Sequence, residues 1–431
     1  MTVEALSDPV KLGYLVPEFP GQTHGFFWRE LGVLAQLGIA ADIVSTRRPG
    51  LNGARADWSD DAASVTTYLA SASAPVLMSI VRELRTIPPA RLVYVLRQAL
   101  VMAREGASLP PDATRLRAIV TQLAWLVLGV RLAGLARERR WTHVHVHSCG
   151  NAASIAMFAR LLSGLPYSLT LHGQLADYGG NQEAKWSNAD FALVITEELQ
   201  SHVRRSLSEA LPETVRVVPM GVDTAEFTRS GPYVPWTAPG TFRLFSCGRL
   251  NPSKGHDVLV AAVRKMVDDG ADVQLAIAGE DEAGGRGYRQ QLERLIDNLG
   301  LRHRVRLLGS VPGSAIRKEL AEAHAFVLAS HAEPLGVAIM EAMCMEIPVV
   351  ATAAGGVSEL VLDGETGILV TPGDPETLAD ALMRLMADPP LCAGMGSAGR
   401  NRVSSLFGHR RSAEMLAQLA NAARRSSWSR R

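Results

Sequence analysis

The segment His331 to Met343, HAEPLGVAIMEAM, carries two acids eight residues apart, Glu333 and Glu341. Glu333 precedes Pro334, which biases it to extended backbone, so a helix can start only after it, near Gly336. Glu341 then falls early in that helix. The pattern predicts a carboxylate at a strand-to-helix turn, unbonded helix amides beside it and a second carboxylate about a turn further in. Amides and helix dipole stabilise a phosphate, while carboxylates accept hydrogen bonds from sugar and ribose hydroxyls. The same spacing also suits one acid favoured by the dipole and one solvated on the surface.

A second cluster lies at Gly248 to Gly255, GRLNPSKG, after a strand ending at Cys247. Arg249 and Lys254 sit on a Gly- and Pro-containing loop that can bend a planar guanidinium fork and a point charge towards one anion. A departing diphosphate needs such neutralisation, although basic residues in a loop are commonly just solvated. The segment is neither a Walker loop nor a GxGxxG fingerprint. His143, His145 and His147 place three imidazoles on one strand face. No carboxylate stands beside them in sequence, which argues against a metal site. His172 ends an apolar strand before Gly173 and, taken alone, reads as a core or turn histidine; Gly355 and Gly356 suit a backbone approach or a tight turn.

The elements that must position these residues alternate short β-rich runs with longer helical stretches, the pattern of βα units and a parallel sheet. Strands are expected at Lys11 to Val16, Ala41 to Val44, His143 to His147, Tyr167 to His172, Phe191 to Ile195 and Val215 to Val218. A second set is expected at Phe242 to Cys247, Val273 to Ala278, Val305 to Leu308, Ala325 to Leu328, Pro348 to Ala351 and Ile368 to Val370. Between the sets, TRSGPYVPWTAPG (Thr228 to Gly240) holds three prolines and two glycines and reads as a linker. The stretch Val76 to Arg140 is helical in pattern, with Arg82, Arg85, Arg91, Arg97 and Arg104 among aliphatic residues. It suits a basic amphipathic surface touching anionic lipid, or helices covering the first sheet, and the commoner second reading is favoured.

Composition bounds the rest. The 431 residues imply two domains, and 47% hydrophobic with 20% charged residues is globular. A net charge of +1 gives no global case for nucleic acid. Arg424, Arg425, Arg430 and Arg431 form a basic tail, read as a solvated end. Cys149, Cys247, Cys344 and Cys392 are spread without a Cys-x-x-Cys pair, which fits a reducing cytoplasm. The opening MTVEALSDPVKLGYLVPEFP does not read as a secretory signal. The apolar stretch Ala118 to Val130 stops at Arg131, short of the roughly 20 residues that span a bilayer.

In order, GRLNPSKGHDVLV, VQLAIAGEDE, HAEPLGVAIMEAM, PVVATAAGGVSEL and DGETGILV resemble the C-terminal domain of the retaining family-4 glycosyltransferases of GT-B fold. YLVPEFPGQTHGFFWREL resembles their opening strand and loop, YSLTLHG their central histidine strand, and VRVVPMGVDTAEF the segment before the linker. Among subgroups the chain looks most like enzymes of exopolysaccharide and colanic-acid type assembly. The resemblance implies two Rossmann-like doubly wound parallel-sheet domains facing a central cleft: residues 1–227 on the acceptor side, a linker at 228–240, a donor domain at 241–405 and a C-terminal helix with basic tail at 406–431.

The resemblance further implies that Arg249 and Lys254, with Gly248, hold the diphosphate of a UDP- or GDP-sugar, that Glu341 binds the ribose, and that Glu333 lies at the donor sugar beside the backbone of Leu335, Gly336 and Val337. His172 would face the reacting centre, Gly21 would belong to a loop near donor and acceptor, and His24 would stand on the acceptor side in loops including His24 to Trp28. Transfer would retain anomeric configuration without a metal or other cofactor. The acceptor, whether glycan, lipid-linked sugar or small natural product, has no transferable code, and neither has oligomeric state. A phosphorylase, an epimerase or hydrolase of the same architecture, and a non-catalytic nucleotide-sugar-binding protein are the competing classes. Relatives usually carry a second glycine soon after the one matching Gly279, where this chain has Glu280, Asp281 and Glu282, acids able to bond a base or ribose. Lys254→Ala is expected to slow turnover with little loss of folding.

Overall fold

A computed structural model describes residues 10–21, 24–49, 58–71, 73–105, 115–281 and 287–429. Glu282, Arg430 and Arg431 lie outside the described residues. The chain forms two compact units, the first from residues up to Pro49, Asp60–Val218 and the stretch from Ser412, the second built on Pro219–Arg411.

The first unit holds β1 (Lys11–Glu18), β2 (Ala40–Arg47), β3 (Thr67–Tyr68), β4 (His143–Val146), β5 (Tyr167–Leu171), β6 (Phe191–Val194) and β7 (Thr214–Val217). All pair in parallel, in the order β3-β2-β1-β4-β5-β6-β7. Its helices are α1 (Gly25–Gln36), α2 (Ser59–Val65), α3 (Ala74–Leu84), α4 (Pro89–Glu105), α5 (Arg115–Arg139), α6 (Asn151–Ser163), α7 (Gln182–Ser187) and α8 (Glu197–Leu207). The second unit holds β8 (Phe242–Cys247), β9 (Val273–Ala278), β10 (Val305–Gly309), β11 (Ala325–Leu328), β12 (Val349–Thr352) and β13 (Ile368–Val370). These are also parallel, in the order β10-β9-β8-β11-β12-β13. Helices α9 (His256–Asp268), α10 (Tyr288–Asn298), α11 (Gly313–Glu322), α12 (Val337–Cys344), α13 (Val357–Leu360), α14 (Pro375–Ala387) and α15 (Pro389–Leu406) follow, and α16 (Arg410–Ser429) closes the chain.

Every expected strand is present, with ends moved by a few residues, and β3 is an addition. Most strands are legible because they are nearly continuous buried runs, such as FALV in β6 and VVAT in β12, as a sheet covered on both faces requires. The sheet order in each unit reverses at its first strand, β1 beside β4 and β8 beside β11. The loops leaving those strands therefore open a crevice at the carboxyl edge of each sheet.

Three expectations change. The division between units falls at Val218, ahead of Thr228 to Gly240. That segment has no helix or strand, but Tyr233 and Trp236 pack on the second core and the Tyr233 hydroxyl donates to the His324 carbonyl at 2.6 Å. The chain from Ser412 belongs with the first unit. Ala118 to Val130 lies within α5, which by length and composition alone is long and apolar enough to cross a membrane. Gln122 and Arg131 are nonetheless buried in it, the Arg131 guanidinium against the Leu69 carbonyl, as in a helix packed on protein.

One backbone approach fixes the β8 loop. Gly279 ends β9 at φ +146°, and a Cβ there would stand 1.8 Å from the Gly248 carbonyl oxygen. Gly279→Ala should therefore cost about 3 kcal/mol or more, combining backbone strain with a displaced loop. Gly270→Ala, at φ +87° with no atom within 4 Å, should cost only about 1 kcal/mol. Urea unfolding of the pair measures the difference, and equal losses would show that the Gly248 carbonyl yields freely.

Candidate active site

In the second unit, two loops meet at the reversal point. Gly248 to Lys254 leaves β8 through a short turn at Pro252–Lys254, and Ala329 to Gly336 leaves β11. They are stitched by the His331 amide, which donates to the Ser253 carbonyl at 2.8 Å, and by the Lys254 ammonium, which lies 2.5 Å from Glu333 Oε2. Glu333 is only 8% exposed. Its Oε2 also accepts from the Ser330 hydroxyl at 3.2 Å, and its carbonyl accepts from the Gly356 amide at 3.1 Å. A Cβ on Gly355 would come within 2.5 Å of that carbonyl, so the second glycine loop closes directly on Glu333.

The helix expected near Gly336 begins there: Gly336 at φ +99° caps α12, and Val337 is its first residue. Internal hydrogen bonds of α12 begin at the Ile339 and Met340 amides, so the first-turn amides precede them beside Glu333. Leu335 is buried, and Val337 is half-buried. Glu341, half-buried on the same helix, lies close enough to Cys247 to raise its thiol, while Lys254 lowers it; burial is the larger cause and pushes the thiol up to about 12. Gly248, Arg249, Lys254, Glu333, Leu335, Gly336, Val337 and Glu341 thus share one edge of one sheet. Glu280 and Asp281 are engaged otherwise: Glu280 pairs with the Arg289 guanidinium at 2.8 Å, and Asp281 accepts from the Arg289 amide at 2.9 Å.

The first unit gathers Gly21, His24 and His172 around the start of α1. His24 stands at the N-terminus of α1, and Gly25 to Trp28 form its first turn, so this stretch is helix where a loop was expected. The His24 ring lies over Gly21, where a Cβ would meet it at 2.5 Å. His172, one residue past β5, packs edge-on against Phe27 at 5.6 Å and touches His147, whose Nδ1 is 3.1 Å from His172 Nε2. Behind it, His147 Nε2 lies 3.0 Å from Glu30 Oε2, without the alignment of a full hydrogen bond, and the Tyr14 hydroxyl donates to the same oxygen at 2.6 Å.

Burial alone would raise the Glu30 carboxyl, but His147, Ser412 and Tyr14 outweigh it and hold the group ionised. Burial, then His147, pushes His172 down to about 3, so its imidazole is neutral. His147 Nδ1 and His172 Nε2 share one hydrogen bond, whose direction follows the tautomers of the two rings.

The three strand histidines do have partners that sequence adjacency concealed. His143 Nε2 and His145 Nδ1 both meet the Ser168 hydroxyl, at 2.8 and 2.7 Å, and His145 Nε2 meets that of Thr170 at 2.8 Å. This is a hydroxyl network, and no group of three or more His, Cys, Asp or Glu side chains is placed to hold a metal ion among the described residues.

Known proteins bear on this arrangement directly. The family model for glycosyl transferases group 1 matches residues 237–402. The D-inositol 3-phosphate glycosyltransferase of Corynebacterium diphtheriae is 30% identical over 308 residues, 64% of this chain and 70% of that protein. The alpha-maltose-1-phosphate synthase of Mycolicibacterium smegmatis is 30% identical over 351 residues, 73% and 87% of the two chains. The chain belongs to the group 1 glycosyl transferases. A solved Anabaena protein, HepE in complex with UDP and glucose, superposes with TM-score 0.69 at 19% identity, covering 95% of this chain and 98% of that one. The fold is therefore GT-B.

Within this group 1 transferase, sequence reading missed Glu30, Ser330 and His256, and it named His147 only as one of three strand imidazoles. Glu30 was legible in principle: it is the acid on the α1 face that buries Phe27 and Leu34, three and four residues away. His256, which follows the GRLNPSKG loop, is 1% exposed, and burial pushes its imidazole down to about 4. His143 is likewise pushed down to about 3, first by burial. Each such imidazole is neutral when folded and free to titrate near 6.5 when unfolded, so the unfolded chain binds more protons between the two values. Stability from these groups is whole above pH 6.5 and is lost as pH falls towards 4, by about 2 kcal/mol for each of His143, His172 and His256 at pH 5. Urea midpoints should fall between pH 7 and pH 5, and His256→Gln should shrink that fall; a midpoint unchanged at pH 5 would refute the shifts.

Proposed function

We propose that the chain is a retaining, metal-independent family-4 transferase that moves a sugar from a UDP- or GDP-sugar to an acceptor hydroxyl, in assembly of exopolysaccharide or colanic-acid type. The observation that carries the reading is the Lys254–Glu333 contact beside the first-turn amides of α12, at the reversal point of the second sheet. An ammonium has three donors, so Lys254 can keep Glu333 and still reach a phosphate oxygen. With Arg249 and Gly248 it would hold the diphosphate. Glu341 would bind the ribose, and Glu333, fixed by Lys254 and Ser330, would accept from donor-sugar hydroxyls. Gly21, His24 and His172 are assigned to the sugar and acceptor side. Similar proteins support the donor class: HepE was solved with UDP and glucose, and a Mycolicibacterium smegmatis mannosyltransferase is GDP-mannose-dependent.

A covalent double displacement needs a second carboxylate about 5 Å from the first, across the sugar. Glu333 is instead committed to Lys254 and Ser330, which favours front-face substitution. The bond from the anomeric carbon to the diphosphate oxygen breaks, positive charge develops on the sugar ring, and the acceptor oxygen bonds on the same face. The departing diphosphate takes the acceptor proton. Rate comes from positioning and from preorganised positive charge on the leaving group. The four free thiols support work in the reducing cytoplasm.

Lys254→Ala should slow transfer by a hundredfold or more, on the order of what one preorganised donor supplies. Contrary to the expectation from sequence, it should also lose about 3 kcal/mol of stability, because Glu333 is left buried without its cation. Adding Glu333→Gln should restore folding without restoring turnover, and wild-type turnover in either variant would remove Lys254 from the chemistry. Glu341→Gln should weaken nucleoside diphosphate binding about tenfold by calorimetry; unchanged affinity would end the ribose role. Screening nucleotide sugars with and without acceptors separates transfer from epimerisation, hydrolysis and simple binding.

A further inference from the structure

Exposed apolar side chains are ordinary when scattered and informative when they form stripes among cations. Three neighbouring helices carry such stripes, α3 and α4 both packing on α5. On α3, Leu77, Met78 and Val81 are exposed, Met78 at 73%. On α4 the exposed set is Val93, Tyr94, Leu100 and Val101, and on α5 it is Leu116, Val120 and Val127. Spacings of three, four and seven residues put each set on one face of its helix. The opposite face of α4, with Val95, Ala99, Met102 and Ala103, is already buried. This helix is therefore apolar on two sides, and only one of them is used by the core.

The charge beside the stripes is one-sided. Arg82, Arg85, Arg91, Arg97, Arg104 and Arg115 are exposed. Among the described side chains of residues 74–104 and 115–127, Glu83 is the sole acid, and it is buried against Arg137 at 3.0 Å. The whole chain is nearly neutral, at +1, so this bias is local. Arg97 and Arg104 stand in register with Val93, Tyr94, Leu100 and Val101, where aliphatic stems can lie along an apolar phase while guanidinium groups meet anionic headgroups.

We propose that the α3–α4–α5 face docks on a bilayer that bears anionic lipid, with the apolar tips in the acyl boundary and the arginines at the headgroups. The chemistry of the face selects this occupant. A second copy would set arginines against arginines. Spanning by α5 is opposed by the buried Gln122 and Arg131, whereas lying in the interface uses only the residues already outside. The inference makes no use of the donor site and stands apart from the catalytic reading.

The test is flotation of the full chain with vesicles of phosphatidylcholine alone or mixed with phosphatidylglycerol. Binding should appear on the mixed vesicles, weaken as salt rises and be at least about tenfold poorer on phosphatidylcholine alone. Met78→Glu with Val101→Glu should reduce it by about tenfold or more, with thermal unfolding unchanged because both side chains are exposed. Donor hydrolysis in free solution should also be unchanged. No binding to mixed vesicles, or full binding by the double variant, would overturn the proposal. So would concentration-dependent self-association that the double variant abolishes, since the face would then belong to a second copy.

Discussion

The second unit depends on a buried charge that had to be paired. A carboxylate with 8% of its surface left to solvent is costly alone, and Glu333 meets that cost with the Lys254 ammonium at 2.5 Å and the Ser330 hydroxyl at 3.2 Å. Because Lys254 comes from the loop after β8 and Glu333 from the loop after β11, the pair also fixes the two loops to each other. The tight passage of Gly279 past Gly248 and of Gly355 past Glu333 leaves the backbone few alternatives. The positive end of α12 is thereby delivered to a place where a lysine is already held. A polyanion bound there would meet charge arranged in advance, which is the condition under which electrostatics accelerates a reaction.

The first unit solves a different problem with nearly the same topology. Imidazoles run along β4 and past the end of β5, and burial keeps His143, His145 and His172 neutral. A neutral imidazole offers one donor and one acceptor, so its use depends on which nitrogen bears the proton. Ser168 and Thr170 settle this for the inner histidines by accepting or donating as needed. His172 is linked through His147 to the ionised Glu30.

What was legible in the sequence follows from the range of the interaction involved. Strands were placed within a few residues because a parallel sheet buried on both faces writes short apolar runs into the chain. The helix start at Gly336 was legible because Pro334 forbids an earlier one. Glu30 and His147 are 117 positions apart, and nothing local signals that they meet. The loop expected over His24 to Trp28 failed because a glycine-flanked aromatic run lacks the usual helix signals, and its helix is supported by packing: Phe27 against Tyr14 and His147. The Pro-rich segment at 228–240 has the composition of a linker, yet Tyr233 and Trp236 give it a side to bury. Composition records the absence of secondary structure and does not record docking.

The helices from Ala74 to Arg139 show the same limit from the other side. Their periodicity announces amphipathic helices but cannot say which apolar residues face the sheet, since α4 has apolar residues on both faces. Covering a sheet needs one stripe per helix, and Val95, Ala99 and Met102 supply it for α4. Tyr94 and Val101 then have no fold-level reason to be apolar, and a purely soluble role would tolerate Lys or Glu at either position without loss of packing. Large apolar side chains there, with arginine as the exposed charge beside them, are what the proposed docking on an anionic bilayer uses.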